Sequence, residues 1–98
     1  MTIKEAQELI EAWTARKASR RKGELTNMAV LTEQVGELAR VIAQKHSEPS
    51  ISPKKIQEDL NSEVGDVLWA LISIANQANI DLTRAIIDNF EKKETSKE

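Results

Sequence analysis

The sequence predicts an all-α fold, a four-helix bundle in which short connections join successive helices. The chain has 98 residues, which gives room for one domain of ordinary size. Aromatic residues make up only 3% of it and Tyr is absent, whereas sheet proteins are enriched in aromatic and β-branched side chains. Apolar residues recur every three or four positions along four segments, which is the pattern of amphipathic helices. We therefore expect a single helical domain over residues 1–98.

Capping residues indicate where the first two helices begin and end. Thr2 and Glu5 have the spacing of a capping box, in which the two side chains each bond a backbone amide at the start of a helix. Gly23 is predicted to end the first helix. Thr26 or Asn27 is expected to cap the second, because either side chain offers an oxygen to an unpaired amide.

The last two helices have boundary signals of the same kind. Ser52 followed by Pro53 is a typical helix start, since Ser accepts an amide hydrogen bond and Pro has no amide to leave unpaired. Asn79 is predicted to end the third helix, and Asp81 to cap the fourth. The four predicted helices span residues 3–21, 27–46, 53–78 and 82–93, and the polar tail over residues 94–98 is expected to fray.

Charge and composition exclude several function classes. The formal net charge is −2, so binding of nucleic acid through bulk positive charge is not expected. The absence of Cys excludes disulfides and thiolate metal sites. No apolar run approaches the roughly 20 residues of a membrane span, and the N-terminus lacks the layout of a signal peptide. We expect a cytoplasmic protein without a membrane partner, and a homo-oligomer, because so small a domain buries little surface by itself.

Four acidic side chains on the second and third helices are arranged unlike ordinary surface acids. Glu33 and Glu37 are four residues apart and Glu63 and Asp66 three, so each pair shares a helix face. Only Glu37 has a basic residue within one turn, Arg40. Like charges at these spacings destabilise a helix by roughly 0.2–0.5 kcal/mol. Their helical angles place these acids beside the apolar faces, where a carboxylate is expected to bind a cation or to titrate upward.

The two acidic segments also repeat one pattern. Residues 34–37 read QVGE and residues 63–66 read EVGD, so Gly36 and Gly65 lie inside predicted helices. A helical Gly costs about 0.5–1 kcal/mol relative to Ala, which a close approach of a helix or a ligand would offset. In an antiparallel helix pair the two segments could face each other and surround Mg²⁺ or Mn²⁺, which prefer oxygen ligands. Simple core packing is the alternative interpretation.

Two motifs, LTEQVGELA over residues 31–39 and EVGDVLW over residues 63–69, resemble those of the MazG-like nucleotide pyrophosphohydrolases, whose signature is Glu-Glu-x-x-Glu and then Glu-x-x-Asp. The similarity extends to residues 72–76 and 89–93. The resemblance implies an all-α MazG fold and a homodimer or homotetramer. It also implies Mg²⁺-dependent cleavage of a (deoxy)nucleoside triphosphate between the α and β phosphates, giving the monophosphate and pyrophosphate, with Mn²⁺ as a substitute cation.

The same resemblance implies roles for individual residues. Glu37, Glu63 and Asp66 match metal ligands, and Glu33 matches an acid that orients or deprotonates the attacking water, so that Glu33 and Glu37 are the catalytic candidates. Gln34 stands where the family motif has its second Glu, and it offers a neutral ligand oxygen without a charge. The missing charge is expected to weaken metal binding and to slow or abolish the reaction.

Further candidates for binding the substrate are cationic, amide or aromatic side chains: Trp13, Arg20, Arg21, Asn89, Lys92 and Lys93. Trp13 is a candidate to cover a base, although it lies on an apolar stripe. The two Arg belong to a basic run over residues 16–22, which is either a solvated surface or a phosphate-binding rim. The last three lie about one turn apart near the C-terminus, where cations also favour the helix dipole.

Two other functions remain compatible with these residues. A catalytically reduced helical module that binds nucleotides or nucleic acid would release no pyrophosphate, and its oligonucleotide affinity would fall steeply with salt. A helical assembly module without ligands needs only the apolar stripes, and Mg²⁺ would leave its melting temperature unchanged.

Overall fold

The computed structural model describes residues 1–17 and 22–96. These residues form four helices, α1 (Ile3–Arg16), α2 (Glu24–Ser47), α3 (Pro53–Gln77) and α4 (Leu82–Thr95). Within the same ranges there is no β-strand. The all-α prediction is therefore confirmed. No helix in the described ranges is long and apolar enough to cross a bilayer.

Side-chain caps begin three of the helices as the sequence predicts. The Thr2 hydroxyl accepts a hydrogen bond from the Glu5 amide at 3.0 Å, and the Thr2 amide donates to the Glu5 carboxylate at 2.8 Å, which completes the capping box of α1. The Ser52 hydroxyl accepts from the Lys55 amide at 3.1 Å at the start of α3. The Asp81 carboxylate accepts from the Thr83 amide at 2.9 Å and caps α4.

The predicted start of α2 is wrong by one turn. Gly23 is the N-cap residue, in an extended conformation and without a side-chain cap bond, so Thr26 and Asn27 lie inside the helix. Glu24 in the first turn interacts favourably with the positive end of the helix dipole, which helps the helix to begin before the Thr and Asn side chains.

Two predicted helix ends also differ from the structure. α1 ends at Arg16, with Lys17 as its C-cap residue, whereas the prediction continued the helix to residue 21. Residues 18–21 lie outside the described part. α4 continues to Thr95, whose hydroxyl donates to the Glu91 carbonyl at 3.1 Å, so residues 94 and 95 are helical and not frayed.

The turn between α3 and α4 is defined by a left-handed residue. Asn79 has a φ of 56°, a conformation that Asn tolerates better than most residues. The Ile80 amide then donates to the Ala75 carbonyl at 2.8 Å and satisfies one of the last carbonyls of α3. The predicted stop at Asn79 is confirmed.

The chain divides into two compact units. The first draws on Met1–Arg21 and Ile72–Glu98 and has Ile10, Ile72 and Ala75 as its buried apolar residues. The second, Lys22–Leu71, contains α2 and most of α3 and buries Val41, Ile56 and Ala70. All four predicted acidic site residues belong to the second unit. The prediction of a single domain over residues 1–98 stays a prediction.

Candidate functional site

On α2, two of the predicted site residues lie on the side that is shielded from solvent. Gln34 and Glu37 are both half-buried. Gln34 precedes Val41, which is only 1% exposed, by seven residues. Seven residues are close to two helical turns, so the two side chains project within about 20° of each other. An amide therefore occupies a position at which the helix otherwise carries core residues.

On α3, Glu63 lies in the middle of the helix face that carries the buried residues Ile56 and Ala70, which is the shielded side of this helix. It follows Ile56 by seven residues and precedes Ala70 by seven, and each of these apolar residues is 5% exposed. The Glu63 side chain is half-buried, and its Oε2 atom is fully buried without a hydrogen-bond donor among the described residues. A buried oxygen without a partner lowers the stability of the folded state. The sequence predicts Glu63 at the border of this face, whereas the structure places it near the centre.

Two acids near the shielded side have basic partners. The Glu37 carboxylate accepts hydrogen bonds from Arg40 at 3.0 Å and 3.2 Å, and both side chains are about half exposed, so the pair adds little stability. Asp59 accepts from the Lys55 ammonium at 2.8 Å. This hydrogen bond and the charge of Asp59 raise the pKa of Lys55. Asp59, one turn before Glu63, is thus already neutralised.

Glu33 and Asp66 lie outside the shielded side. Both are exposed, and neither side chain has an ion-pair or hydrogen-bond partner within the described chain. On a helical wheel Glu33 projects about 100° from Gln34, and Asp66 about 60° from Glu63. In residues 1–17 and 22–96 no three His, Asp or Glu side chains are close enough together to hold a metal ion. Of the predicted ligands, Glu37, Glu63 and Gln34 are half-buried, whereas Asp66 is exposed.

Neither Gly36 nor Gly65 lies where another part of the described chain packs closely against the helix backbone. A Cβ atom added at Gly36 or at Gly65 would have no heavy atom within 4 Å, apart from its own helix backbone and chain neighbours. Close packing against another described helix therefore does not explain either Gly, and that part of the prediction is wrong. The other explanation, the approach of a ligand, stays a prediction.

Residues 22–98 match the model of the MazG nucleotide pyrophosphohydrolase domain. The chain belongs to the MazG family. The predicted membership is confirmed, and the family and its relative of known structure are described as nucleotide pyrophosphohydrolases, which are hydrolases that act on acid anhydrides.

Relatives of this MazG chain include proteins of known structure. The crystal structure of a Bacillus-conserved MazG protein, described as a nucleotide pyrophosphohydrolase, is 31% identical with a TM-score of 0.79, and the match covers 100% of this chain and 94% of the other. The structure of YpjD from Bacillus subtilis, described as a putative pyrophosphatase, is 29% identical with a TM-score of 0.77 and coverages of 100% and 97%. These matches confirm the MazG fold.

A curated sequence relative matches over a shorter stretch. The uncharacterized protein YpjD of Bacillus subtilis (strain 168) is 44% identical over an alignment of 64 residues, and the match covers 62% of this chain. The chain spans about half the length of that relative, 55% of it.

The oxygen atoms that the half-buried site residues of this MazG chain offer are chemically suited to a hard divalent cation. Glu37 and Glu63 supply carboxylate oxygens and Gln34 an amide oxygen, the ligand types that Mg²⁺ and Mn²⁺ prefer. The unpartnered Oε2 atom of Glu63 supports this assignment, because a cation would satisfy it. The set lacks a third shielded carboxylate, because Gln34 stands at that position.

Four of the six predicted substrate-binding residues lie in the part of the chain that the structure describes. Asn89, Lys92 and Lys93 are exposed on α4, which belongs to the first compact unit. Trp13 is half-buried on α1. Arg20 and Arg21 lie outside the described residues. The assignment of all six to the substrate stays a prediction.

Sequence reasoning missed a polar network in the first unit. The Gln7 amide nitrogen donates to the Asn76 side chain at 3.0 Å and to the Ile80 carbonyl at 2.8 Å. The Gln7 side-chain oxygen accepts from the Leu82 amide at 2.9 Å, and the Asn76 side chain donates to the Gln7 carbonyl at 3.0 Å. These bonds tie α1 to the α3–α4 turn. The sequence feature that could have revealed this network is the position of Gln7, a polar residue on the apolar stripe of α1 between Ile3 and Ile10.

Proposed function

We propose that this MazG chain is a Mg²⁺-dependent nucleoside triphosphate pyrophosphohydrolase that cleaves between the α and β phosphates and releases pyrophosphate. The observation that carries the proposal is the buried, unpartnered Oε2 of Glu63 on the shielded side of α3. A protein selected only for stability would place an apolar residue at that position, as it does at Ile56 and Ala70.

Charge explains why a cation is part of the proposal. A nucleoside triphosphate carries about four negative charges, so the acidic residues of α2 and α3 would repel it. Bound Mg²⁺ would supply positive charge to phosphate oxygens and lower the pKa of an attacking water. Mn²⁺, with similar ligand preferences, would substitute for it.

Side chains of α2 and α3 are proposed to hold the cation. Glu37, Glu63 and Gln34 provide shielded oxygen ligands, and Arg40 holds the Glu37 carboxylate by two hydrogen bonds. Asp66, exposed one turn after Glu63, adds a ligand from the rim of the same site.

Glu33 is the proposed acceptor of the water proton. It is exposed, and no described cation neutralises it. A free carboxylate can orient a water molecule by accepting its hydrogen bond and can then take its proton. Glu37 is the less suitable of the two catalytic candidates, because its carboxylate is already engaged by Arg40.

The outer phosphates need separate cationic contacts. Lys92 and Lys93 are exposed in the last turn of α4, and Asn89 precedes them by about one turn. We assign these three side chains to the outer phosphates, and Trp13, Arg20 and Arg21 to the rest of the substrate. The protein is further proposed to act in the cytoplasm as a homodimer or homotetramer.

The test is a panel of canonical and modified (deoxy)nucleoside triphosphates incubated with Mg²⁺ or Mn²⁺ and read by pyrophosphate release. We expect release by the wild-type chain and a loss of at least about 100-fold in Glu63→Gln, which removes the ligand charge. Glu58→Gln is the matched control, because Glu58 is exposed on the same helix and should leave the rate unchanged. Absence of release for every nucleotide, together with salt-sensitive oligonucleotide binding, would favour the reduced binding module instead.

A further inference from the structure

The last helix, α4, is packed against the rest of its compact unit mainly through its first turn. Its half-buried residues are Leu82, Thr83 and Ala85, whereas residues 86–95 are all exposed. Lys92 follows Leu82 by ten residues. This separation is about 15 Å along the helix axis, so a change of about 10° in the direction of the axis at Leu82 displaces Lys92 by about 2.6 Å. The contacts at the first turn therefore decide where the far end of α4 lies.

The Gln7 side chain, which comes from α1, is bonded to the backbone at this first turn. It donates to the Ile80 carbonyl at 2.8 Å and accepts from the Leu82 amide at 2.9 Å. The Asp81 carboxylate accepts from the next two amides of α4, so Gln7 supplies the acceptor for the amide before them. Asn76 holds Gln7 in place by two further bonds of 3.0 Å, one to its side chain and one to its carbonyl.

These hydrogen bonds define a direction that apolar contacts do not define. Hydrophobic contact is non-directional, whereas a hydrogen bond has a narrow range of distance and angle. Gln7 lies between Ile3 and Ile10 on the apolar stripe of α1, where an apolar side chain would be the ordinary choice for packing. A Gln at this position, with its oxygen and its nitrogen both bonded, therefore fixes the orientation of α4 relative to α1.

We propose that Gln7 is a positioning residue for the reaction. Its hydrogen bonds set the direction of α4 and so place Asn89, Lys92 and Lys93 for contact with the outer phosphates of the substrate. This role rests on the proposed function, which assigns those three side chains to the phosphates. Gln7 acts through α4 and not by touching the substrate. Precise placement matters because a displacement of about 1 Å can lower the rate of a reaction about 100-fold.

A kinetic comparison tests whether Gln7 acts through α4. Gln7→Leu removes the side-chain hydrogen bonds with a side chain of similar size, and we expect kcat/KM for the best substrate of the nucleotide panel to fall at least about tenfold. In a chain that already carries Lys92→Ala and Lys93→Ala, the same change should cost no more than about twofold, because the groups that it misplaces are absent. Ile10→Val, which shortens a buried side chain of the same unit and leaves the network intact, is the control and should leave kcat/KM unchanged.

A distance measurement tests the direction of α4 without catalysis. The chain has no Cys, so nitroxide labels on Lys4→Cys and Glu94→Cys report the separation of α1 and α4 without background. The labelled chain is diluted into unlabelled chain, so that distances within one chain are measured. We expect Gln7→Leu to shift or broaden the distance distribution by about 3 Å, the displacement that a tilt of about 10° gives over the roughly 18 Å from Leu82 to Glu94. Ile10→Val should leave the distribution unchanged.

The possible outcomes separate this role from the proposed function. Gln7→Glu keeps an oxygen for the Leu82 amide and loses both donated bonds, so it carries the same test with a smaller expected effect if Gln7→Leu does not fold. Unchanged distances in the Gln7 variant would overturn the proposal. An equal fall in kcat/KM with and without Lys92 and Lys93 would overturn it as well. Absence of pyrophosphate release in the wild type would contradict the proposed function and the phosphate contacts, whereas the distances would still show whether Gln7 sets the direction of α4.

Discussion

At the scale of single residues, the candidate site consists of polar groups placed at core positions. Gln34 and Glu63 each stand seven residues from buried apolar side chains, Val41 in one case and Ile56 and Ala70 in the other. A polar group in such a place lowers stability unless it is paired. The Oε2 atom of Glu63 is buried without a partner in the described chain, which makes it the best single indicator of a ligand.

Replacing the neutral residue of the site tests its role. Gln34→Glu adds a carboxylate to the shielded side, where Glu37 and Glu63 already lie. We expect Mg²⁺ and Mn²⁺ to bind about tenfold tighter, equivalent to about 1.4 kcal/mol, because the added charge attracts the cation. Pyrophosphate release should rise, and the metal-free protein should unfold at lower urea concentration because the carboxylates repel each other.

The measurements for this variant are calorimetric metal titration, pyrophosphate release and urea unfolding with chelator. Gln57→Glu, which adds the same charge at an exposed position of α3, serves as the control. Equal metal affinity in Gln34→Glu and Gln57→Glu would show that position 34 does not contribute a ligand.

The capping box of α1 predicts a pH effect at its N-terminus. Hydrogen bonds from the Thr2 backbone amide and hydroxyl lower the pKa of Glu5 from its ordinary 4.5. Because the folded-state pKa is the lower one, the stabilisation is present above pH 4.5 and is lost as the pH falls through the folded-state value. We expect Glu5→Gln to flatten the dependence of unfolding free energy on pH below 4.5. Glu8→Gln, at an exposed position of the same helix, is the control. If the unfolding free energy of Glu5→Gln depends on pH in the acid range as strongly as that of Glu8→Gln, this assignment is contradicted.

At the scale of helices, capping side chains in the sequence predicted most helix boundaries, but not the boundary that is formed by backbone geometry alone. The caps at Thr2, Ser52 and Asp81 could be recognised because each side chain bonds an amide two or three residues away. The start of α2 could not, because Gly23 caps without a side chain and Thr26 looks like a better candidate. A helix boundary that depends on backbone geometry alone is not marked by a characteristic residue type, so the sequence does not locate it accurately.

The two helical glycines give a prediction at this scale. Gly36→Ala and Gly65→Ala add a methyl group in open space, so each should raise the free energy of unfolding of the metal-free protein by about 0.5–1 kcal/mol. Urea unfolding measures this, and Ala29→Gly, an exposed position of α2, should lower stability by a similar amount. Destabilisation by either Gly→Ala change would mean that another part of the protein or a second copy packs against that glycine.

At the scale of the whole molecule, the sequence predicted the fold and the family but only part of the site. The motif over residues 31–39 and 63–69 led to the MazG family, and the family model and the crystal structures confirm it. Helical spacing alone could not show that Glu63 is shielded while Glu33 and Asp66 are exposed, because burial depends on the neighbouring elements. The network of Gln7 and Asn76 was missed for the same reason, since the two residues are 69 positions apart.

The most direct test of the central claim is the melting temperature of the full chain with chelator and with millimolar Mg²⁺, compared between the wild type and Glu63→Leu. A cation held by the folded state raises stability by about 2.7 kcal/mol at 100 times its dissociation constant, so the wild type should melt higher with Mg²⁺. Glu63→Leu removes a buried unpartnered oxygen, so it should melt higher than the wild type in chelator and lose the response to Mg²⁺. Glu58→Leu, altered at an exposed acid of α3, should respond to Mg²⁺ as the wild type does. An equal Mg²⁺ response in the wild type and Glu63→Leu, or no response in the wild type, would contradict a cation site built around Glu63.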